Sequence, residues 1–221
     1  VFKAGLTEFS IRHPKWVLAL TLILTIGFLL PLPGIRTDTN PKNMLPPSSA
    51  VRVWNESVER AFRLYEDMIV VGIVNEGGVL NTGTLRKIAD ITAAIMQIEG
   101  VAARDVSSFT TIDNVSASPD GLRVGPLVAR LPDTPEELTA LRTTLFDNPL
   151  FLDRIISRDA RTTAIYVPLE KGANGKEVAE RIRGIVGAHA GEERYYIAGD
   201  PVARDTFGAE MFKLMGIFSP I

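Results

Sequence analysis

Few side chains in this 221-residue chain are of the kinds that do chemistry, and their spacing scatters them. The two histidines, His13 and His189, lie far apart in sequence. A zinc-type site needs three or four clustered ligands, so this pair does not make one. There is no cysteine, which removes thiolate metal ligands, a cysteine nucleophile and disulfides together. Adjacent carboxylates occur at Glu66-Asp67 and Glu192-Glu193. Acid–base catalysis needs carboxylates that converge on one bond, whereas adjacent residues point apart. Both pairs are therefore expected as solvated edges on turns next to strands. Ser107-Ser108 has no evident base partner for a hydrolase triad. Gly72, Gly77-Gly78 and Gly83 fit neither dinucleotide-binding nor phosphate-loop spacing. No catalytic, cofactor-binding or metal-binding residue is assigned, and an enzyme is not expected. Substrate-binding residues are not legible in the sequence.

Composition narrows the partners. Charged residues are 23% of the chain, hydrophobic residues 46%, and the net charge is −2. That balance suits an ordinary folded domain and not a disordered one. No Lys/Arg stripe is interleaved with aromatics, so nucleic acid is not an expected partner.

The most distinctive stretch is residues 16–35, twenty residues without a charge between Lys15 and Arg36. As a helix they would cover roughly 30 Å, the thickness of a hydrocarbon core, so a transmembrane helix in a lipid bilayer is expected. Trp16 suits one interface, and Pro31, Pro33 and Gly34 end the helix at the other. Its exit, Pro-Leu-Pro-Gly-Ile-Arg, is a poor signal-peptidase site, so the helix is expected to be retained. Lys3, Arg12 and Lys15 precede the span and Arg36 and Lys42 follow it, which places residues 1–15 on the cytoplasmic side. Thr21, Thr25 and Phe28 share one helical face that could pack on another helix.

Residues 36–67 read as a polar, proline-rich connection followed by a helix. Ser48 or Ser49 caps that helix, whose apolar face is Val51, Trp54, Val58 and Phe62. Residues 68–200 read as an α+β domain. A β-branched run at residues 68–74 predicts a buried strand, turned at residues 75–78. Leu85, Ile88, Ile91, Ile95 and Ile98 predict an amphipathic helix ended by Gly100, and residues 101–109 a returning strand. The order repeats with a strand at residues 161–169 carrying Ile165, Val167 and Leu169 on one face. A helix capped by Asn174 along Val178, Ile182 and Ile185 follows, with His189 in its last turn, and then a strand at Tyr195, Tyr196 and Ile197. Two βαβ units predict a ferredoxin-like βαββαβ fold. An insertion at about residues 110–160 carries a turn at Asp120-Gly121, with residues 122–128 extended. It also carries a helix opened by the Thr134-Pro135-Glu136-Glu137 capping box along Leu138, Leu141 and Leu145, and a hairpin around Asp159-Ala160. Residues 201–221 read as a linker and the first turns of a second membrane span, apolar but for Lys213 from residue 211 on.

Three short stretches occur in a telling order: Arg12-His13-Pro14 before the apolar run; Thr37-Asp38-Thr39-Asn40 with Met44-Leu45-Pro46 after it; and Ala198-Gly199-Asp200-Pro201-Val202 leading through Phe207-Gly208-Ala209-Glu210. Together they make the chain resemble the first transmembrane helix and first periplasmic porter domain of the resistance–nodulation–division (RND) exporter superfamily. Within it the likeness is to the large mycobacterial-membrane-protein (MMPL) type, which includes hopanoid and lipid exporters. The resemblance implies a bacterial inner-membrane location with a periplasmic main domain and a path for a hydrophobic small molecule or lipid. It implies no cofactor, the proton-motive force driving the full-length protein through carboxylates in later helices. The implied partners are those helices, a second porter domain and the bilayer, and a homo-oligomer is compatible with it. The alternative reading is a single-pass anchored extracytoplasmic sensor or binding module.

Overall fold

The computed structural model describes residues 9–31, 44–62, 64–118 and 121–219. The chain forms two units, Val1–Asp38 and Thr39–Ile221.

In the first unit helix α1 spans Pro14–Leu29. Proline at the first helical position forfeits no bond, because the first-turn amides have no intrahelical acceptor. The Thr21 and Thr25 hydroxyls bond back to the carbonyls of Val17 and Thr21 at 2.9 and 2.8 Å. No residue of α1 is buried, and apolar side chains point out on all sides. At 1.5 Å per residue its 16 residues cover about 24 Å. Among the described residues, no helix is long and apolar enough to cross a membrane. The expected span is helical as far as Leu29, and Leu30 still bonds its amide to Ile26 at 3.0 Å. Its last positions, including Pro33 and Gly34, lie outside the described residues, as do Thr37, Asp38, Thr39, Asn40 and most of the connection.

The second unit runs through α2 (Ala50–Phe62), β1 (Met68–Val74), α3 (Thr82–Ile95), β2 (Asp113–Ser118), β3 (Gly121–Pro126), α4 (Pro135–Asp147), β4 (Thr162–Pro168), α5 (Gly175–Ala188), β5 (Arg194–Ala198) and α6 (Asp200–Phe218). It is a mixed α+β fold with small antiparallel sheets. β1 is central, antiparallel to β4 on one side and β5 on the other. Alternation sends Ile69, Val71 and Ile73 to one face, beside Ile165 and Val167 of β4, and all five are buried. Leu85, Ile88, Ile91 and Ile95 of α3 and Val178, Ala179 and Ile182 of α5 belong to the same core. α3 and α5 thus occupy one face of the sheet. On the other face Gly72 lies opposite Tyr196, and an added Cβ at Gly72 would meet the Tyr196 Cβ at 3.8 Å.

Residues 101–109 depart from the expected strand. The segment pairs with β4 only through isolated bridges, Val101 with Leu169 and Ser107 with Tyr166, both antiparallel. Between them Ala103–Asp105 form a 3₁₀ turn. Pro168 explains the break. Its carbonyl accepts the Ala102 amide at 2.9 Å, but it has no N–H to return, so the Ala102 carbonyl takes the Asp105 amide at 3.0 Å instead. The order across the sheet is then this bridged segment, β4, β1 and β5. Gly100 does not end the helix directly. α3 stops at Ile95, its first turn capped by Asn81, and Gly100 (φ +88°) turns the chain four residues after the cap residue Met96.

The insertion is a hairpin, β2 with β3, followed by α4 with its Thr134–Glu137 capping box in place. β2 was not expected; Asp113, Asn114 and the serines of its run mask a strand that pairs with β3. The residue Asp120 of the expected turn lies outside the described residues. The hairpin around Asp159-Ala160 is present, the Ser157 amide bonding the Thr162 carbonyl at 2.9 Å. Finally, no linker separates β5 from the last helix. α6 begins at Asp200 and runs unbroken for 19 residues, because Pro201 fits its first turn as readily as Pro14 fits that of α1.

Candidate functional site

None of the sequence-singled residues assembles into a catalytic constellation. Among the described residues, no group of three or more His, Cys, Asp or Glu is placed to hold a metal ion. His189 caps the end of α5, its Nδ1 2.9 Å from the Ile185 carbonyl, and its own carbonyl accepts the Tyr195 hydroxyl at 3.1 Å. His13 precedes α1 with its ring 5.2 Å from that of Phe9. Ser107 is taken up by the bridge to Tyr166, and Ser108 is fully buried among the hydroxyls of Thr92 and Thr110 at 3.1 and 3.0 Å. Hydroxyl neighbours of that kind supply no base.

The two carboxylate pairs are where expectation and structure part most. Neither is a solvated edge throughout, since one member of each is drawn into a polar cluster. Beyond the end of β1, Glu193 is buried and accepts from Lys87 Nζ at 2.6 Å and from the Thr84 hydroxyl at 2.7 Å. The Thr84 oxygen also accepts from Asn75 Nδ2 at 3.0 Å and Asn81 Nδ2 at 2.9 Å. One hydroxyl proton given and two lone pairs filled is the full capacity of a threonine. Burial opposes the charge on Glu193, but the hydrogen bonds from Lys87 and Thr84 outweigh it and hold the carboxyl below its ordinary pKa. The same hydrogen bond, donated to Glu193, raises Lys87 above the usual lysine value, so both partners are held charged.

At the start of β1, Asp67 takes both arms of the Arg204 guanidinium, at 3.0 and 2.9 Å. Arg204 Nε reaches Asp205 Oδ1 at 3.3 Å, and Asp205 Oδ2 accepts the Gly175 amide at 2.7 Å where α5 begins. The side chains of Asp67, Arg204 and Asp205 are 12%, 18% and 16% exposed. A bidentate guanidinium–carboxylate fork fixes orientation as well as distance. The signal that could have found it is the acidic–basic order of Asp67, Arg204 and Asp205 at opposite ends of one domain, but pairing over a separation of 137 residues is not readable from one sequence.

Two apolar surfaces complete the inventory. On α2 the predicted face is real but uncovered, with Trp54 75% and Phe62 72% exposed. On α6 Pro201, Val202 and Gly208 are buried, while residues 210–219 are exposed throughout. A groove of about 370 Å³ runs beside the end of α5, lined by Arg183, Val186, Ala190, Glu193, Tyr195 and Ile197 among others. The Glu193 oxygens there already have donors. No known protein-family profile matches the chain, and no curated protein matches it.

Proposed function

We propose that this chain is the first membrane helix and first periplasmic porter domain of a proton-driven RND exporter of the MMPL type. The observation that carries the reading is the strand order. β5, β1, β4 and the bridged segment at residues 101–107 alternate in direction, with α3 and α5 on one face. Two β–α–β units interleaved in this way are the ferredoxin-like βαββαβ arrangement, the fold that the resemblance implies for a porter domain. The motif residues sit where they have structural reasons to be. Pro14 opens α1, and Gly199, Asp200 and Pro201 make the turn from β5 into α6.

Two features support membrane attachment. α1 is apolar on every side, and its threonine hydroxyls are satisfied within the helix, as lipid requires. The exposed second half of α6, with Phe212, Leu214, Met215, Ile217 and Phe218, is apolar around Lys213. In this reading the N-terminus is cytoplasmic in a bacterial inner membrane and the α+β domain periplasmic. The domain moves as a body against a second porter domain, beside a path for a hydrophobic or lipid-like molecule. Proton coupling belongs to other helices of the full-length protein, since residues 16–35 carry no ionisable group.

Topology and transport are tested separately. Alkaline phosphatase inserted at Asp120 should be active and the same enzyme fused at the N-terminus inactive; the reverse overturns the orientation. Cells expressing the full-length gene should export a fluorescent lipid or hydrophobic dye, and a protonophore should abolish that export. Correct topology without any protonophore-sensitive export would instead favour the anchored sensor.

A further inference from the structure

The root of α6 is held on several sides, while its far end, residues 210–219, is exposed. A single residue, Gly199 (φ +144°), separates β5 from α6. Such a glycine would ordinarily be a hinge. Here its backbone is pressed on β1, because a Cβ at Gly199 would collide with the Met68 carbonyl and lie 3.2 Å from the Ile69 Cα. Two residues on, Pro201 packs against the first turn of α5 so closely that a Cβ on Gly175 would come within 2.5 Å of the Pro201 Cβ. Arg204 then grips both oxygens of Asp67, and Asp205 holds the Gly175 amide. The Asp67 carbonyl in turn accepts the Leu169 amide at 2.9 Å, just past β4. Each strand of the three-stranded sheet and α5 are thus joined to the first two turns of α6.

We propose that Asp67, Arg204 and Asp205 weld α6 to the sheet as a rigid lever, so that displacement of its free end turns the whole domain instead of bending the helix at Gly199. A planar guanidinium on two carboxylate oxygens resists rotation, since turning the helix breaks both bonds together. The same ion pair joins the residue at which the chain arrives from α2 to the helix by which it leaves. The two connections therefore move as one. Only the source of the force on α6 rests on the exporter reading; the stiffness of the joint does not.

The absence of native cysteine makes the test direct. Nitroxide labels at Met215→Cys on α6 and Ala188→Cys on α5, both exposed sites, report the joint by pulsed electron–electron resonance on the chain in lipid nanodiscs. At 1.5 Å per residue Met215 lies about 24 Å beyond Gly199, so a swing of about 20° about that glycine would displace it by about 8 Å. Without the substitutions in the joint the distance distribution should be single and narrow. Arg204→Ala and Asp67→Asn should each broaden it by about that displacement, and Arg204→Lys, which keeps charge but loses the fork, should fall between. A control pair at Ala188→Cys and Glu170→Cys should stay narrow in every variant, which separates a loosened joint from an unfolded domain. A broad distribution before any joint substitution, or an unchanged narrow one in Arg204→Ala with the control pair intact, overturns the proposal. If the control pair broadens with Arg204→Ala, the more conservative Asp67→Asn decides.

Discussion

The two ends of β1 solve different problems with similar residues. Beyond Val74 the polar cluster is built on one β–turn–α segment, Asn75, Asn81, Thr84 and Lys87, closed by Glu193 from the approach to β5. Before Met68 the cluster joins Asp67 to Arg204 and Asp205 on a chain segment 137 residues away. The first is a cap that saturates a buried hydroxyl; the second is a joint between chain segments. The comparison teaches that ion pairs of similar length can serve turn closure or mechanical connection. What distinguishes them is which backbone each partner sits on, not their chemistry.

Loss of Arg204 should have the largest effect. Arg204→Ala leaves Asp67 mostly buried without the guanidinium that takes both its oxygens, and should cost about 3 kcal/mol in urea-induced unfolding of the α+β unit. At the other end Thr84→Val removes the acceptor of two asparagine amides and one donor to Glu193. About 2 kcal/mol is expected from the stranded groups. If the two variants cost the same and both loosen α6, the distinction between cap and joint fails.

Gly175→Ala tests the contact of α5 with α6 from the packing side. Helix propensity alone predicts stabilisation of up to about 1 kcal/mol. The collision with Pro201 predicts the opposite sign, a loss of about 1–2 kcal/mol in the same unfolding measurement. The smallest effect is expected from pH. Glu193 titrates below its ordinary value when folded, so the stability it contributes is fully present above about pH 4.3, the unfolded value. It is lost as pH falls through the lower folded value. Glu193→Gln should flatten the acid side of the stability profile, and Arg204→Lys should leave that slope in place, as read by urea midpoints between pH 3 and 6.

Much of the α+β unit was legible because its rules are local. A β-branched run marks residues 68–74, the one-face spacing of Ile165, Val167 and Leu169 marks the strand read at 161–169, three- and four-residue steps mark α3 and α5, and Asn174 and Thr134 cap as their positions predict. The failures have equally specific causes. Residues 101–109 look like a strand by type, but their pairing depends on Pro168, some sixty residues later, which withholds a donor. Apolar periodicity carried α3 past Ile95 because Ile98 is also buried, though from the turn. Glu193 and Asp67 were read as solvated because a carboxylate's partner can come from anywhere in the fold.

By itself, then, the sequence determined the kind of most main elements and the apolar character of α1, since these follow from residue type and short-range spacing. Only the tertiary structure decided that Glu193 and Asp67 are bound, that Gly199 and Gly175 are pressed against neighbours, and that α6 leaves the sheet without a linker. Those outcomes depend on contacts between residues distant in the chain, and packing, not local preference, sets them.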